Sequence, residues 1–73
     1  MADNDDDPFV PITGTVSIHT SLGVFLATQG RRVFIPGLRM EPLPRRYLPG
    51  ETVTLEVRLS FAMQEGLVPG AKP

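Results

Sequence analysis

Glycine and proline interrupt this chain so often that a helix of ordinary length has nowhere to form. Eight prolines and seven glycines are scattered through 73 residues. Each proline removes a backbone donor, and its ring obstructs the turn of helix before it. The stretches left between these breaks are short and rich in β-branched and aromatic residues, so they read as strands.

Residues 12–20 alternate, with Ile12, Gly14, Val16 and Ile18 on one face and Thr13, Thr15, Ser17 and His19 on the other. That is the pattern of a half-buried strand. After Gly23 come two more β-prone runs, residues 24–28 and 31–36, separated by Gln29-Gly30. A polar residue followed by glycine between such runs predicts a hairpin. Residues 51–60 alternate most cleanly, Val53, Leu55, Val57 and Leu59 against Thr52, Thr54, Glu56 and Arg58. Residues 64–68 are a candidate short closing strand after a turn near Ala62 and Met63. Residues 37–50 contain Pro42, Pro44 and Pro49 and read as an ordered loop, with at most one helical turn near residues 45–48.

Four or five short strands in so small a chain cannot make two separate sheets, and closing one sheet into a barrel removes its exposed edges. The expected interior is Ile12, Val16, Ile18, Val24, Leu26, Val53, Leu55, Val57 and Leu59. The expected fold is therefore all-β, a small five-stranded barrel over residues 9–68. Residues 1–8 read as a disordered acidic tail and residues 69–73 as a disordered C-terminus.

There is no cysteine, and His19 is the sole histidine, so neither a disulfide nor a metal site with ordinary ligand spacing is expected. His19 itself reads as a surface residue on the polar side of its strand. Catalysis finds no support: no cysteine nucleophile, no glycine loop followed by Lys and Ser or Thr, and acids that stand singly in the folded part. The expectation is a non-enzymatic binding protein without cofactor or metal. No apolar run approaches the ~20 residues needed to cross a bilayer. The acidic start also lacks the basic-then-apolar plan of a secretory signal, and a cytoplasmic location is expected.

Charge is divided unevenly. Asp3, Asp5, Asp6 and Asp7 crowd the start. From Pro8 onward seven basic residues, Arg31, Arg32, Arg39, Arg45, Arg46, Arg58 and Lys72, face four acids, Glu41, Glu51, Glu56 and Glu65, an excess of three. A mildly basic domain behind an acidic tail fits an anionic ligand.

The segments Gly14-Thr15-Val16, Leu22-Gly23-Val24-Phe25-Leu26, Val33-Phe34-Ile35-Pro36 and Tyr47-Leu48-Pro49-Gly50-Glu51-Thr52-Val53 follow one another in that order. The order resembles the ribosomal-protein-S1-like branch of the OB-fold family. There, a first strand starting Gly-x-Val leads to a Gly-x-Phe-Val strand, then a strand reading Gly-Leu-Val-His or Phe-Leu-Pro, then Val-Gly-Asp-x-Val at the start of strand four. The resemblance spans residues 9–68. It implies a Greek-key barrel whose second and third strands bind single-stranded RNA or DNA, with aromatic side chains stacking on bases and basic ones meeting phosphates. Phe25 falls at the family's aromatic position and, between inward Val24 and Leu26, should point outward. Leu22 stands where many members carry a second aromatic, and Pro36 where many carry histidine. The platform is thus reduced, and Phe34, on the face of Pro36, would partly restore it.

The resemblance nominates Phe25, Phe34 and Tyr47 as stacking groups, and Arg31, Arg32, Arg39, Arg45 and Arg46 as phosphate contacts. Each has a plainer role open to it: Phe25 covered by the long loop, Phe34 as packing, Tyr47 as the loop's anchor, and the arginine pairs as solvated turns. A basic rim requires both pairs on one side of the barrel. The leading expectation is a monomeric module that binds single-stranded nucleic acid, RNA before DNA. The alternative is a protein-interaction or regulatory module on an OB-like or SH3-like barrel, recognisable by an apolar patch of Leu22, Phe25, Phe34 and Leu38.

Overall fold

Strands β1 (Phe9–His19), β2 (Gly23–Thr28), β3 (Arg31–Pro36) and β4 (Thr52–Arg58) form over the four β-prone runs, although β1 already begins at Phe9 and β4 stops at Arg58, short of the expected residue 60. The computed structural model describes residues 7–70 and joins the strands in one antiparallel sheet, order β3-β2-β1-β4. A 3-10 turn, Gly37–Arg39, follows β3, and a short helix α1, Leu59–Gln64, follows β4. The fold is mostly β, as the proline and glycine spacing requires.

The β2–β3 hairpin closes through Gln29 and Gly30, whose φ values of 53° and 83° are both positive. That is the two-residue type I′ geometry, whose twist matches that of the flanking strands. Glycine accepts a positive φ without steric cost. The long strand β1 serves both halves of the sheet: residues from Phe9 to Thr15 pair with β4, and those from Thr15 to His19 pair with β2.

Val16 pairs with Leu26, but Ile18 pairs with Phe25, so Ser17 is the extra residue of a β-bulge. A bulge shifts the inside-outside alternation by one position. Ile18, expected inside, is consequently 50% exposed. His19, expected on the polar face, is half-buried opposite the fully buried Val24. The remaining interior follows the alternation for Ile12, Val16, Val24, Leu26, Leu55 and Val57, all buried. Val33 and Ile35 of β3 join them, while Val53 is only half-buried and Leu59 lies half-exposed at the start of α1.

The expected fifth strand is absent among the described residues, and the sheet does not close into a barrel. A single bridge, Met40 to Val57, with the Glu41 N–H donating to the Glu56 carbonyl at 2.9 Å, ties the chain after β3 to the far edge of β4. Residues 59–64 carry Leu, Ala, Met and Gln without glycine or proline, and they coil instead. The carboxylate of Asp7 accepts from the Ser60 N–H at 2.7 Å and from its hydroxyl at 2.8 Å. It thereby caps from a distance a helix with no cap of its own. Phe61, Ala62 and Leu67 are then buried in the core rather than paired in a ladder. The helical turn expected near residues 45–48 does not form, because Pro44 and Pro49 bracket it; the turn falls at Gly37–Arg39.

Asp7 and Pro8 are tied to the start of α1, the latter through the Leu59 N–H at 2.8 Å, and the Gly70 N–H reaches the Pro11 carbonyl at 2.7 Å. The rest of the expected tail, residues 1–6, and residues 71–73 lie outside the described residues. Among the described residues no helix is long and apolar enough to cross a membrane. Nor do three metal-binding side chains gather in one place.

Candidate nucleic-acid interface

In a two-residue hairpin the residues flanking the turn, here Thr28 and Arg31, exchange hydrogen bonds, and the pairs beyond them alternate. Phe25 and Phe34, paired across β2 and β3, therefore form a non-hydrogen-bonded pair, the class in which facing side chains come closest. Their ring centroids are 4.7 Å apart with planes inclined at 46°, a favourable tilted contact. Both rings are half-buried on the outer face of the sheet, and the bulge brings Ile18 beside Phe25 in the same row.

Arg32 lies two residues before Phe34 and so on the same outer face, opposite Ala27. It is exposed and makes no salt bridge among the described residues. Its neighbour Arg31 points to the other face, as alternation demands, and its guanidinium is 3.9 Å from the Glu65 carboxylate. The Arg31-Arg32 pair is one in sequence only.

Arg45, Arg46 and Tyr47 gather elsewhere, around His19. The Tyr47 N–H donates to His19 Nδ1 at 2.9 Å, so that nitrogen carries no proton in this arrangement. Arg46 Nη1 donates to the His19 carbonyl at 2.6 Å. Arg45 is clasped by both oxygens of Glu51, at 2.6 and 3.0 Å, and its guanidinium lies 4.7 Å from the centre of the Tyr47 ring. These contacts fasten the long loop to the end of the hairpin that holds Gly23 and Pro36, while Arg31 and Arg32 stand at the turn end. Four strand positions separate the two ends, roughly 13 Å at ~3.3 Å per residue. The two arginine pairs do not form one basic rim, and Tyr47 is a loop anchor.

Arg39 stands at the end of the 3-10 turn. Its charge reaches Asp7, whose carboxyl is held below the usual range first by the Ser60 N–H and hydroxyl and then by Arg58 and Arg39. A cleft of about 310 Å³ opens between the β1–β2 turn and the long loop, lined by His19, Ser21, Gly23, Glu41 and Arg46 among others. It carries both signs of charge.

The sequence did not single out Glu51, yet Glu51 organises the loop. Its carboxyl is lowered from 4.5 to about 2, chiefly by the Arg45 hydrogen bonds and next by the Leu48 N–H at 2.6 Å. A carboxyl whose folded value lies below its unfolded one contributes stability that is complete above about pH 4.5 and is lost as pH falls through about 2. Urea midpoints measured at pH 7 and pH 3 should therefore fall for the parent protein, and fall less for Glu51→Gln. An equal fall in both would remove Glu51 from the account of acid sensitivity.

Of the basic side chains in the acid-free stretch from Pro8 to Met40, Arg32 is the one that the strand pairing places on the outer face of β2 and β3, and neither strand contributes a carboxylate to that face. Compared with known protein families, curated proteins and solved structures, the chain matches none, and the functional argument rests on the placement of these side chains.

Proposed function

We propose that this chain is a small, non-enzymatic, cytoplasmic module that binds single-stranded nucleic acid, RNA before DNA, as a monomer. The site is the outer face of β2 and β3, used in the manner of an OB-like sheet although the barrel is open. The observation that carries this reading is the outward Phe25–Phe34 pair with Arg32, which makes no salt bridge among the described residues, on the same face. Base stacking on an aromatic ring contributes about 1–3 kcal/mol per base whatever the sequence. An adjacent cation meets the phosphate that joins two stacked nucleotides. Among the arginines nominated by resemblance, Arg32 takes the main role. Arg31 and Arg45 are already engaged by carboxylates, and Arg46 holds the loop.

The salt dependence of binding tests this division. Each phosphate neutralised on a single strand contributes about 0.7 to the slope of log K against log salt. Arg32→Ala should lower that slope by roughly this amount for oligo-uridine, and Arg31→Ala by clearly less, as read by fluorescence anisotropy over a salt series. Equal slopes for Arg32→Ala and the parent would remove Arg32 from the interface.

A second reading rests on a different observation. Leu22 and Leu38 are 76% and 95% exposed, and the Gly37 N–H bound to the Leu22 carbonyl at 2.9 Å holds their backbones together at the end of the β2–β3 hairpin away from its turn. Such a patch suits a protein partner. A ¹⁵N-HSQC titration with oligo-uridine separates the two: shifts spread over residues 18–36 support nucleic acid, and unmoved peaks at millimolar oligonucleotide leave the protein-interaction reading.

A further inference from the structure

Among the described residues strand β3 is outermost in the sheet, and β2 is its only strand neighbour. The type I′ turn fixes which of its backbone groups are used. Arg31, Val33 and Ile35 exchange hydrogen bonds with Thr28, Leu26 and Val24, so the N–H and C=O groups of Arg32 and Phe34 point away from the sheet. None of the turn, loop or side-chain hydrogen bonds among the described residues reaches the β3 backbone.

Proteins blunt such edges with charge, proline, bulges or a covering segment. Here Arg31, Arg32 and Pro36 mark the ends, while the middle, Val33-Phe34-Ile35, is apolar and β-prone. Arg32 on the outer face of the strand and Arg39 just past its end are cationic, and the acid nearest the strand, Glu65, is met by Arg31 on the opposite face.

We propose that the free edge of β3 docks an extended acidic segment of a partner protein, added as an antiparallel fifth strand. Antiparallel addition continues the sheet's own pattern and is the slightly more stable pairing. The partner residue opposite Phe34 would be apolar, extending the row of Ile18, Phe25 and Phe34. Two positions further toward the partner's C-terminus, the residue opposite Arg32 would be acidic. This surface goes beyond the nucleic-acid reading, because the partner is held by backbone groups at the edge and not by the aromatic face.

Amide hydrogen exchange of the whole protein without nucleic acid tests the edge, so the result does not depend on whether oligonucleotides bind. The probes are a blocked peptide of alternating Val and Thr ending in two Glu, and its counterpart ending in two Lys. At millimolar Glu peptide, exchange at Arg32 and Phe34 should slow by about tenfold or more, while Val33 and Ile35, already bonded to β2, change little. The exposed charge reversal Arg32→Glu should transfer the protection to the Lys peptide. Unchanged exchange at Arg32 and Phe34 overturns the proposal, as does equal protection by both peptides. Protection that rises with protein concentration alone assigns the edge to a second copy and also overturns it.

Discussion

Gly23→Ala should leave the chain unfolded, or nearly so, at room temperature. A Cβ at Gly23 would stand 2.2 Å from the Ile35 carbonyl oxygen and 2.9 Å from the Pro36 Cα, both backbone atoms of the paired strand. Neither can swing aside as a side-chain tip would. Moving Ile35 also displaces a fully buried side chain and the β2–β3 ladder around it. Gly23 further closes the β1–β2 turn, its carbonyl accepting from the Thr20 N–H at 2.8 Å. Overpacking costs about 1–3 kcal/mol and occasionally more, and a clash with backbone that cannot yield lies at or above the top of that range, close to the ~3–5 kcal/mol that a domain of this size commonly has in hand. Urea unfolding followed by far-UV circular dichroism should show a cooperative transition for the parent and little or none for the variant. Gly37→Ala is the matched control, since its nearest neighbour would be the Leu22 carbonyl at an ordinary 3.6 Å. A variant at Gly23 as stable as that control would mean that β2 and β3 do not approach each other as described.

The second large effect is on binding. Phe25→Ala and Phe34→Ala should each weaken oligo-uridine binding by about 5- to 150-fold, the equivalent of the ~1–3 kcal/mol that one stacked base contributes. The rings touch at a centroid distance of 4.7 Å, so removing one disturbs the other. The double variant should therefore lose less than the sum of the two single losses. Neither ring belongs to the buried core, which lets circular dichroism confirm that the sheet survives while anisotropy reads affinity. Parent-like binding by both variants would exclude the aromatic face and direct attention to Leu22 and Leu38.

Local features of this fold were legible in the residues. The limits of β3 and the Gln29-Gly30 turn follow from neighbours in sequence, and so does the outward direction of Phe25 between Val24 and Leu26. Adjacent residues of a strand face opposite ways, so the parting of Arg31 from Arg32 was open to the same reading, although the expected basic rim kept them together. What escaped depended on distant partners. Residues 59–64 become a helix with the help of Asp7, 53 positions from Ser60, and no window around them contains that carboxylate. Glu51 looked like one scattered acid until the loop folded Arg45 onto it. The bulge at Ser17 has no compositional mark, and the alternation of residues 12–20 was therefore read one step out of phase from Ile18 onward.

That bulge has a consequence for how the chain can change in length. Anywhere else inside β1, losing one residue would exchange inside and outside for everything on one side of the loss, sending apolar groups to solvent. Losing Ser17 would instead leave a regular ladder, with Ile18 still opposite Phe25 and His19 still opposite Val24. The strand thus contains one position where a codon can be lost while every other side chain keeps its side of the sheet.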